Sequence, residues 1–423
     1  MPQTPALTIP SLDADQAAQL ARVLPALAAR IGARGGWIGF DEYLEQVLYA
    51  PGLGYYSAGA TKLGAAGDFT TAPERSPLFG HSVARAIAPV LAAQGAPAGT
   101  PLAAGNGEVL ELGAGSGALA EAVLTRLATL GVLPARYAIL EVRAARRARQ
   151  RPRLARLPPL LAGRIEWLDR LPDVPLRGVL LANEVADALP FRCLEKRAQG
   201  CVELGVSLAA AAPATGTTTT TAAATVPQWA ERPADAALLA ELARIESGLD
   251  APLEAGYRTE ACPRLDAWVA SLAGVLGQGL LLLFDYGLGR RELYHPQRHA
   301  GTLRCHFRHR AHDDPFLYPG LQDITAWVDF TRVAEAASEA GLEVAGYCTQ
   351  AAFLLSAGLA AEIDVGSGPL DGAALKAQLA RAAEARALLQ PDEMGEVFKA
   401  IALTRGLPGP VPGFTMQDLR RLL

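Results

Sequence analysis

Hydrophobic positions change their spacing twice along this chain. In the first hundred residues they recur at helical intervals: Phe40, Tyr43, Leu44, Val47 and Leu48 form one apolar stripe, which Pro51-Gly52 ends. A second helix is expected over about 78–93, and the Gly-, Pro- and Ala-rich stretch Gly95–Gly107 reads as a linker. From Glu108 onward short, nearly all-apolar runs alternate with helical segments. The strands expected are Glu108–Leu112, Tyr137–Val142, Arg164–Leu168, Gly178–Ala182 and, much later, Gly279–Asp285, with Glu343–Thr349 and Val397–Leu403 as the last two. Strands apolar on both faces between helices predict a parallel sheet covered on each side. Between the fourth and fifth strands the alternation breaks. Ser207–Val226, with the run Thr217–Thr221, carries no core-forming pattern and reads as a loop inside an insertion, between hairpin strands near Cys201–Val206 and Val226–Trp229.

Composition narrows the class. The 423 residues are half hydrophobic, yet no apolar run reaches bilayer-spanning length, so no integral membrane segment is expected. Lys+Arg 39 against Asp+Glu 43 gives a net charge of −4, which offers nucleic acid no global attraction. Arginines recur over Arg143–Arg153 on an expected helix, as a solvated face would. The five cysteines are scattered and odd in number, without a CxxC pair, which points to a reducing cytosol and a cytoplasmic protein. Residues 1–10 show neither a basic start nor an apolar core of a secretory signal.

The candidate chemistry begins where the first strand meets its helix, at Glu111-Leu112-Gly113-Ala114-Gly115-Ser116-Gly117. Residues without Cβ let the chain turn tightly and bring its amides close to a ligand, and the helix N-terminus behind favours negative charge. A cationic amino-acid nucleoside, S-adenosyl-L-methionine, suits this turn: its carboxylate would meet the amides and its ammonium Glu111. Glu141, closing the second strand, could accept both ribose hydroxyls. Asp169, past the third, could accept from the adenine amino group, with Trp167 or Leu168 against the ring. Two other readings fit the same turn: a ligand-free bend, and a dinucleotide site, because Gly113, Gly115 and Ala118 satisfy G-x-G-x-x-A. Glu111 weighs against the second, since an acid beside a pyrophosphate repels it.

Further blocks carry a family resemblance. They are Gly54-Tyr55-Tyr56; Gly67-Asp68-Phe69-Thr70-Thr71-Ala72-Pro73-Glu74; the glycine turn; Leu181-Ala182-Asn183-Glu184-Val185-Ala186-Asp187-Ala188-Leu189-Pro190; Phe284-Asp285-Tyr286-Gly287; His309 to Asp313; Pro319-Gly320; Asp323 to Phe330; Thr349-Gln350; and Met394 to Lys399. In this order they resemble the MidA family of methyltransferases linked to assembly of respiratory complex I. The resemblance implies an α/β class I methyltransferase fold, Rossmann-like, with a seven-stranded, mostly parallel sheet, an N-terminal helical lid and an inserted subdomain. The expected organisation is a helical lid region over 1–100, the first half of the methyltransferase domain over 101–190, an insertion over 191–260 and the second half over 261–423. It also implies S-adenosyl-L-methionine as cofactor and, from mitochondrial members, an arginine ω-nitrogen of a complex I core subunit as methyl acceptor.

Methyl transfer from a sulfonium is an in-line displacement, so the enzyme aligns donor and nucleophile and excludes water. An arginine acceptor is cationic at any accessible pH and needs a carboxylate to orient it and take up a proton. Glu184 is the first candidate because it ends a central strand, where sites of open α/β sheets form; Asp187 and Asp68 follow. Helix capping is the structural alternative for Glu184. Asn183 is expected to contact the cofactor, and Phe69 and Thr70 to lie on a lid loop over it. Five of the six histidines fall within 295–312. Interleaved arginines and irregular spacing disfavour a metal there, so His309, His312 and Asp313 are read as positioning a peptide substrate, with a polar surface loop as the alternative. A nicotinamide-dependent oxidoreductase and a non-enzymatic complex I assembly factor are the competing functions.

Overall fold

The central runs expected as strands, Gly178–Ala182 and Gly279–Asp285, are buried on both faces. The computed structural model describes residues 10–57, 71–94, 106–210, 225–363 and 372–423. Its main sheet contains β1 (Asn106–Leu112), β2 (Pro134–Leu140), β3 (Ile165–Leu168), β4 (Leu176–Asn183), β5 (Leu276–Leu288), β6 (Glu343–Thr349) and β7 (Phe398–Arg405). The spatial order is β6-β7-β5-β4-β1-β2-β3. Strands β1 to β5 run parallel, and β7 is antiparallel to both β5 and β6. A two-residue strand, Val328–Asp329, pairs with the end of β5. This is the seven-stranded, mostly parallel α/β sheet expected. One difference is that β2 stops at Leu140, which leaves Glu141 just beyond its end.

The chain moves outward from β1 through β2 and β3, then returns to lay β4 on the other side of β1. Ligands of such sheets bind where the order reverses, beyond the carboxyl ends of the strands. Here that point is flanked by Glu111 and Leu112 of β1, paired with Leu181 and Ala182 of β4.

Two compact units account for the described residues. One takes them from 70–187, 265–290 and 328–423, and contains the main sheet. Its core joins Val109, Ile139, Val179, Leu181 and Leu282 to Phe79, Val83 and Ile87 of the helix Pro77–Ala93. That helix, expected within the N-terminal region, therefore belongs with the sheet, because its apolar face is buried in this core. Phe353, fully buried, packs edge-on against Phe284 at 4.8 Å and against Phe414 at 5.4 Å.

The other unit gathers described residues of 1–69, 188–264 and 291–327. It holds a four-stranded antiparallel sheet, ordered Thr225–Pro233, Cys201–Ala210, Arg192–Lys196, Arg258–Ala261. The first two are the hairpin strands expected around the Thr-rich run, which lies outside the described residues. A three-stranded sheet adds Arg310–His312, Arg304–Phe307 and Asp323–Thr325. Residues 291–327 join this unit because Cys305 and Ile324 share a core with Phe40, Tyr43, Phe191 and Val206. The stripe from Phe40 is helical as expected, but it passes from an α-turn (Phe40–Leu44) into a π-turn (Glu45–Tyr49). Among the described residues no helix is long and apolar enough to cross a membrane.

Truncating Phe353 to Ala should cost about 3–5 kcal/mol, the usual loss for a fully buried aromatic. Urea denaturation checks it; an unchanged midpoint would mean that this aromatic contact does not hold the sheet unit together.

Candidate functional site

Beyond β1 the chain bends through Gly113, Gly115 and Gly117, whose φ values are 65°, 54° and 87°. All lie in the left-handed region that side chains resist. Gly117 caps the helix Ala118–Thr129, and its amide donates to the Ala114 carbonyl at 2.7 Å. A Cβ on Gly113 would stand 3.0 Å from Cγ2 of Val185, so the turn after β1 lies close to the segment after β4. Buried Gln150 braces the turn from the basic helix Ala144–Leu154: its amide donates to the Gly115 carbonyl at 3.2 Å, and its oxygen accepts from Trp167 Nε1 at 2.8 Å. Ser116 is held by Glu74 and by Arg153, which also pairs with Glu74 and Glu121. Glu74 closes one of the sequence blocks quoted above, but its bond to the turn was not legible there.

Three acids stand at the ends of the first three strands, Glu111 within β1 and Glu141 and Asp169 just past β2 and β3. Glu111 is 2 % exposed and accepts from the Tyr137 hydroxyl at 2.7 Å. Burial pushes its pKa up to about 7, against the pull of that hydrogen bond. Glu141, also buried, accepts the Arg143 amide at 3.1 Å and faces Arg146 at 3.9 Å. Asp169 is exposed beyond β3. One face of Trp167 carries the Arg151 guanidinium, 4.6 Å from the ring centroid. Asp68, Phe69 and Thr70, assigned to a lid, lie outside the described residues.

The end of β4 holds the densest polar arrangement. Asn183 is its last residue, and its amide donates to Glu184 Oε1 at 3.0 Å. The Asn183 oxygen is buried and accepts no hydrogen bond. Glu184 adopts a φ of 54°, uncommon for a residue with a side chain. Such a conformation costs on the order of 1–3 kcal/mol and persists only where the surroundings impose it. Its own amide donates to the Phe284 carbonyl at 2.9 Å, continuing the β4–β5 pairing. Beyond it, the amides of Val185, Ala186 and Asp187 all donate to Oδ2 of Asp285, at 3.2, 2.8 and 3.3 Å. The other oxygen of Asp285 accepts the Tyr286 amide at 2.9 Å. Asp285 has no exposure, and burial pushes its pKa up to about 7 although these amides pull it down. Asp187 is buried as well. Asp285 had no assigned role in the sequence reading; the available signal was a lone acid closing an otherwise apolar strand.

The histidine-rich residues belong to the other unit. Arg308 and His309, at φ 46° and 59°, form the two-residue turn between strands Arg304–Phe307 and Arg310–His312, as tight hairpins require. His309 is exposed at that tip. His312 accepts the Asp314 amide at 3.3 Å, and burial pushes its pKa down. Asp313 is ion-paired with Arg304. No three His, Cys, Asp or Glu side chains converge as a metal site among the described residues.

Residues 82–348, more than half of the chain, match the model of a family described as "putative S-adenosyl-L-methionine-dependent methyltransferase". The chain belongs to this family. A Burkholderia thailandensis structure bound to S-adenosyl-homocysteine is similar at 42 % identity and TM-score 0.86, covering 98 % of this chain and 100 % of that one. A native structure from the same organism gives 40 % and 0.83, with the same coverage. Among curated relatives, the mitochondrial protein arginine methyltransferase NDUFAF7 of Danio rerio is 27 % identical over 94 % of this chain and 93 % of its own length. The human protein of that name is 26 % identical over 87 % and 80 %. The methyltransferase thus uses S-adenosyl-L-methionine, and the dinucleotide reading of the turn is set aside. Its residues fit that molecule: a left-handed glycine bend at a helix N-terminus, a buried acid beside it, and an orphaned amide oxygen on Asn183.

Gly115→Val should abolish cofactor binding, since φ 54° excludes a β-branched side chain. Titration calorimetry with S-adenosyl-homocysteine checks this, with unaltered affinity as the contrary result. Glu111 gives a pH prediction. Its folded pKa of about 7 lies above the ordinary 4.5, so the folded state holds the extra proton between those values and stability falls as pH rises through that window. Glu111→Gln removes that loss, so the variant should gain on the wild type between pH 5 and pH 8, by up to about 3 kcal/mol. Denaturant titrations at the two pH values measure it; a stability difference independent of pH would contradict the burial of a titrating Glu111.

Proposed function

We propose that this methyltransferase transfers a methyl group to an arginine ω-nitrogen of a protein substrate, a core subunit of respiratory complex I, in the cytosol. The NDUFAF7 relatives, named as protein arginine methyltransferases, support the acceptor class at 26–28 % identity. The family resemblance of the sequence blocks supports the partner, and the scattered free cysteines support the compartment. The observation that carries the chemistry is Glu184: a carboxylate at the end of a central strand, held in a strained backbone conformation beside Asn183.

In this reading the amides of Gly113–Gly117 and the helix N-terminus hold the methionyl carboxylate, and Glu111 meets the ammonium. Glu141 accepts the ribose hydroxyls, Asp169 the adenine amino group, and the Asn183 oxygen one further donor of the nucleoside. Phe69 and Thr70 serve the cofactor, and His309, His312 and Asp313 position the substrate peptide. Bound S-adenosylmethionine supplies an electrophilic methyl carbon on a cationic sulfur. Glu184, with Asp187 and Asp68 as further acids, orients the guanidinium so that one ω-nitrogen faces that carbon. As the nitrogen–carbon bond forms and the carbon–sulfur bond breaks, sulfur leaves as a neutral thioether. The methylated nitrogen gives up one proton, which a carboxylate accepts, and the guanidinium keeps its charge.

Mass spectrometry of complex I subunits from cells with and without the gene should show one arginine losing its methyl group when the gene is absent. Restoring the gene as Glu184→Gln should leave that arginine unmethylated although the purified variant still binds S-adenosyl-homocysteine. A methylation pattern identical with and without the gene would overturn the substrate; full methylation by the variant would overturn the role of Glu184.

A further inference from the structure

We propose that Asp285 is the positioning residue of the transfer: its buried carboxylate folds the segment after β4 and thereby aims the Glu184 side chain. The inference rests on the role of Glu184 proposed above and adds what holds it in place. Three successive amides, those of Val185, Ala186 and Asp187, converge on one oxygen of Asp285. Successive N–H groups turn to one point only when the chain curls around an anion, as in a backbone nest. Glu184 stands at the entrance to that curl, with φ 54° and its amide on the Phe284 carbonyl. Phe284 immediately precedes Asp285 in the sequence, so one short stretch of β5 fixes Glu184 from two sides.

Two features separate this from ordinary loop bracing. Ion-paired or exposed acids brace loops elsewhere in this chain, as Asp313 does with Arg304. Asp285 instead is fully buried, and every hydrogen bond described for it comes from a main-chain amide. Burying a carboxylate is costly unless its hydrogen bonds are satisfied, and buried amides are as costly when left unpaired. The two costs cancel only in this backbone geometry, so the arrangement selects one conformation for residues 184–187. The Glu184 carboxylate is then steadied from its other neighbour by the Asn183 amide, at 3.0 Å.

The test compares Asp285→Asn and Asp285→Ala with Glu184→Gln. Asparagine keeps one oxygen for the three amides but loses the acceptor for Tyr286; alanine removes both. Methyl transfer is followed from labelled S-adenosylmethionine into complex I purified from cells lacking the gene. The expected order of kcat is wild type, then Asn about tenfold lower, then Ala about a hundredfold lower, as for a catalytic group displaced by about an ångström. Affinity for S-adenosyl-homocysteine should stay within about twofold, because the hydrogen bonds described for Asp285 go to residues 185–187 and Tyr286 and none to the glycine turn; a merely structural role would lower affinity and folded fraction together. Crystal structures of the variants supply the second readout, with Glu184 leaving the left-handed region in the alanine variant. An alanine variant that keeps kcat, or keeps Glu184 at positive φ, overturns the proposal. If Glu184→Gln stays active, the reading of Glu184 fails instead. If the wild type transfers no methyl to complex I, the substrate fails, and the crystal structures still decide the role of Asp285.

Discussion

The parallel pairing of β1 with β4 is the constraint from which the rest of the site follows. These strands are apolar on both faces and meet where the chain has reversed its direction of travel across the sheet. Each must end in a turn whose main-chain polar groups lack a ladder partner. After β1 the solution is glycine, which lets the chain bend at positive φ into a helix N-terminus. After β4 it is an imported anion, Asp285 from the neighbouring β5, which collects the free amides. The two solutions lie against each other, Val185 filling the space that a side chain on Gly113 would need.

This arrangement puts acids where water is scarce. Glu111 and Asp285 are both buried, and burial raises the pKa of each to about 7. A carboxylate in such surroundings interacts more strongly with a cationic ligand than one in water, because little dielectric screening remains. In the binding mode proposed, a positively charged nucleoside beside Glu111 would restore the ionised form that burial opposes. Ligand and acid would then stabilise each other, and the same attraction would favour a cationic amino acid over a pyrophosphate.

Much of the sheet unit was legible in sequence because its signals are local. Apolar runs at strand length, glycines at a strand–helix junction and acids just past strand ends need no knowledge of distant residues. The hairpin around the Thr-rich run was legible for the same reason. The rest of the other unit was not, since it is assembled from three separated stretches, and only tertiary packing brings Cys305 and Ile324 to Phe40 and Phe191. Nor was the cradle of Asp285. Its partners are main-chain amides about a hundred positions away, which leave no mark on residue type. The bond from Glu74 to Ser116 escaped likewise, being a contact between remote polar side chains.

The central claim is that the bend after β1 seats the cofactor while acids at the strand ends read its charged and hydroxyl groups. A crystal structure of this protein with S-adenosyl-homocysteine tests it most directly. The account predicts the amino-acid portion of the ligand against Gly113–Gly117 with its ammonium toward Glu111, and its ribose hydroxyls on Glu141. Electron density for the ligand elsewhere on the chain, with the bend bare, would contradict it.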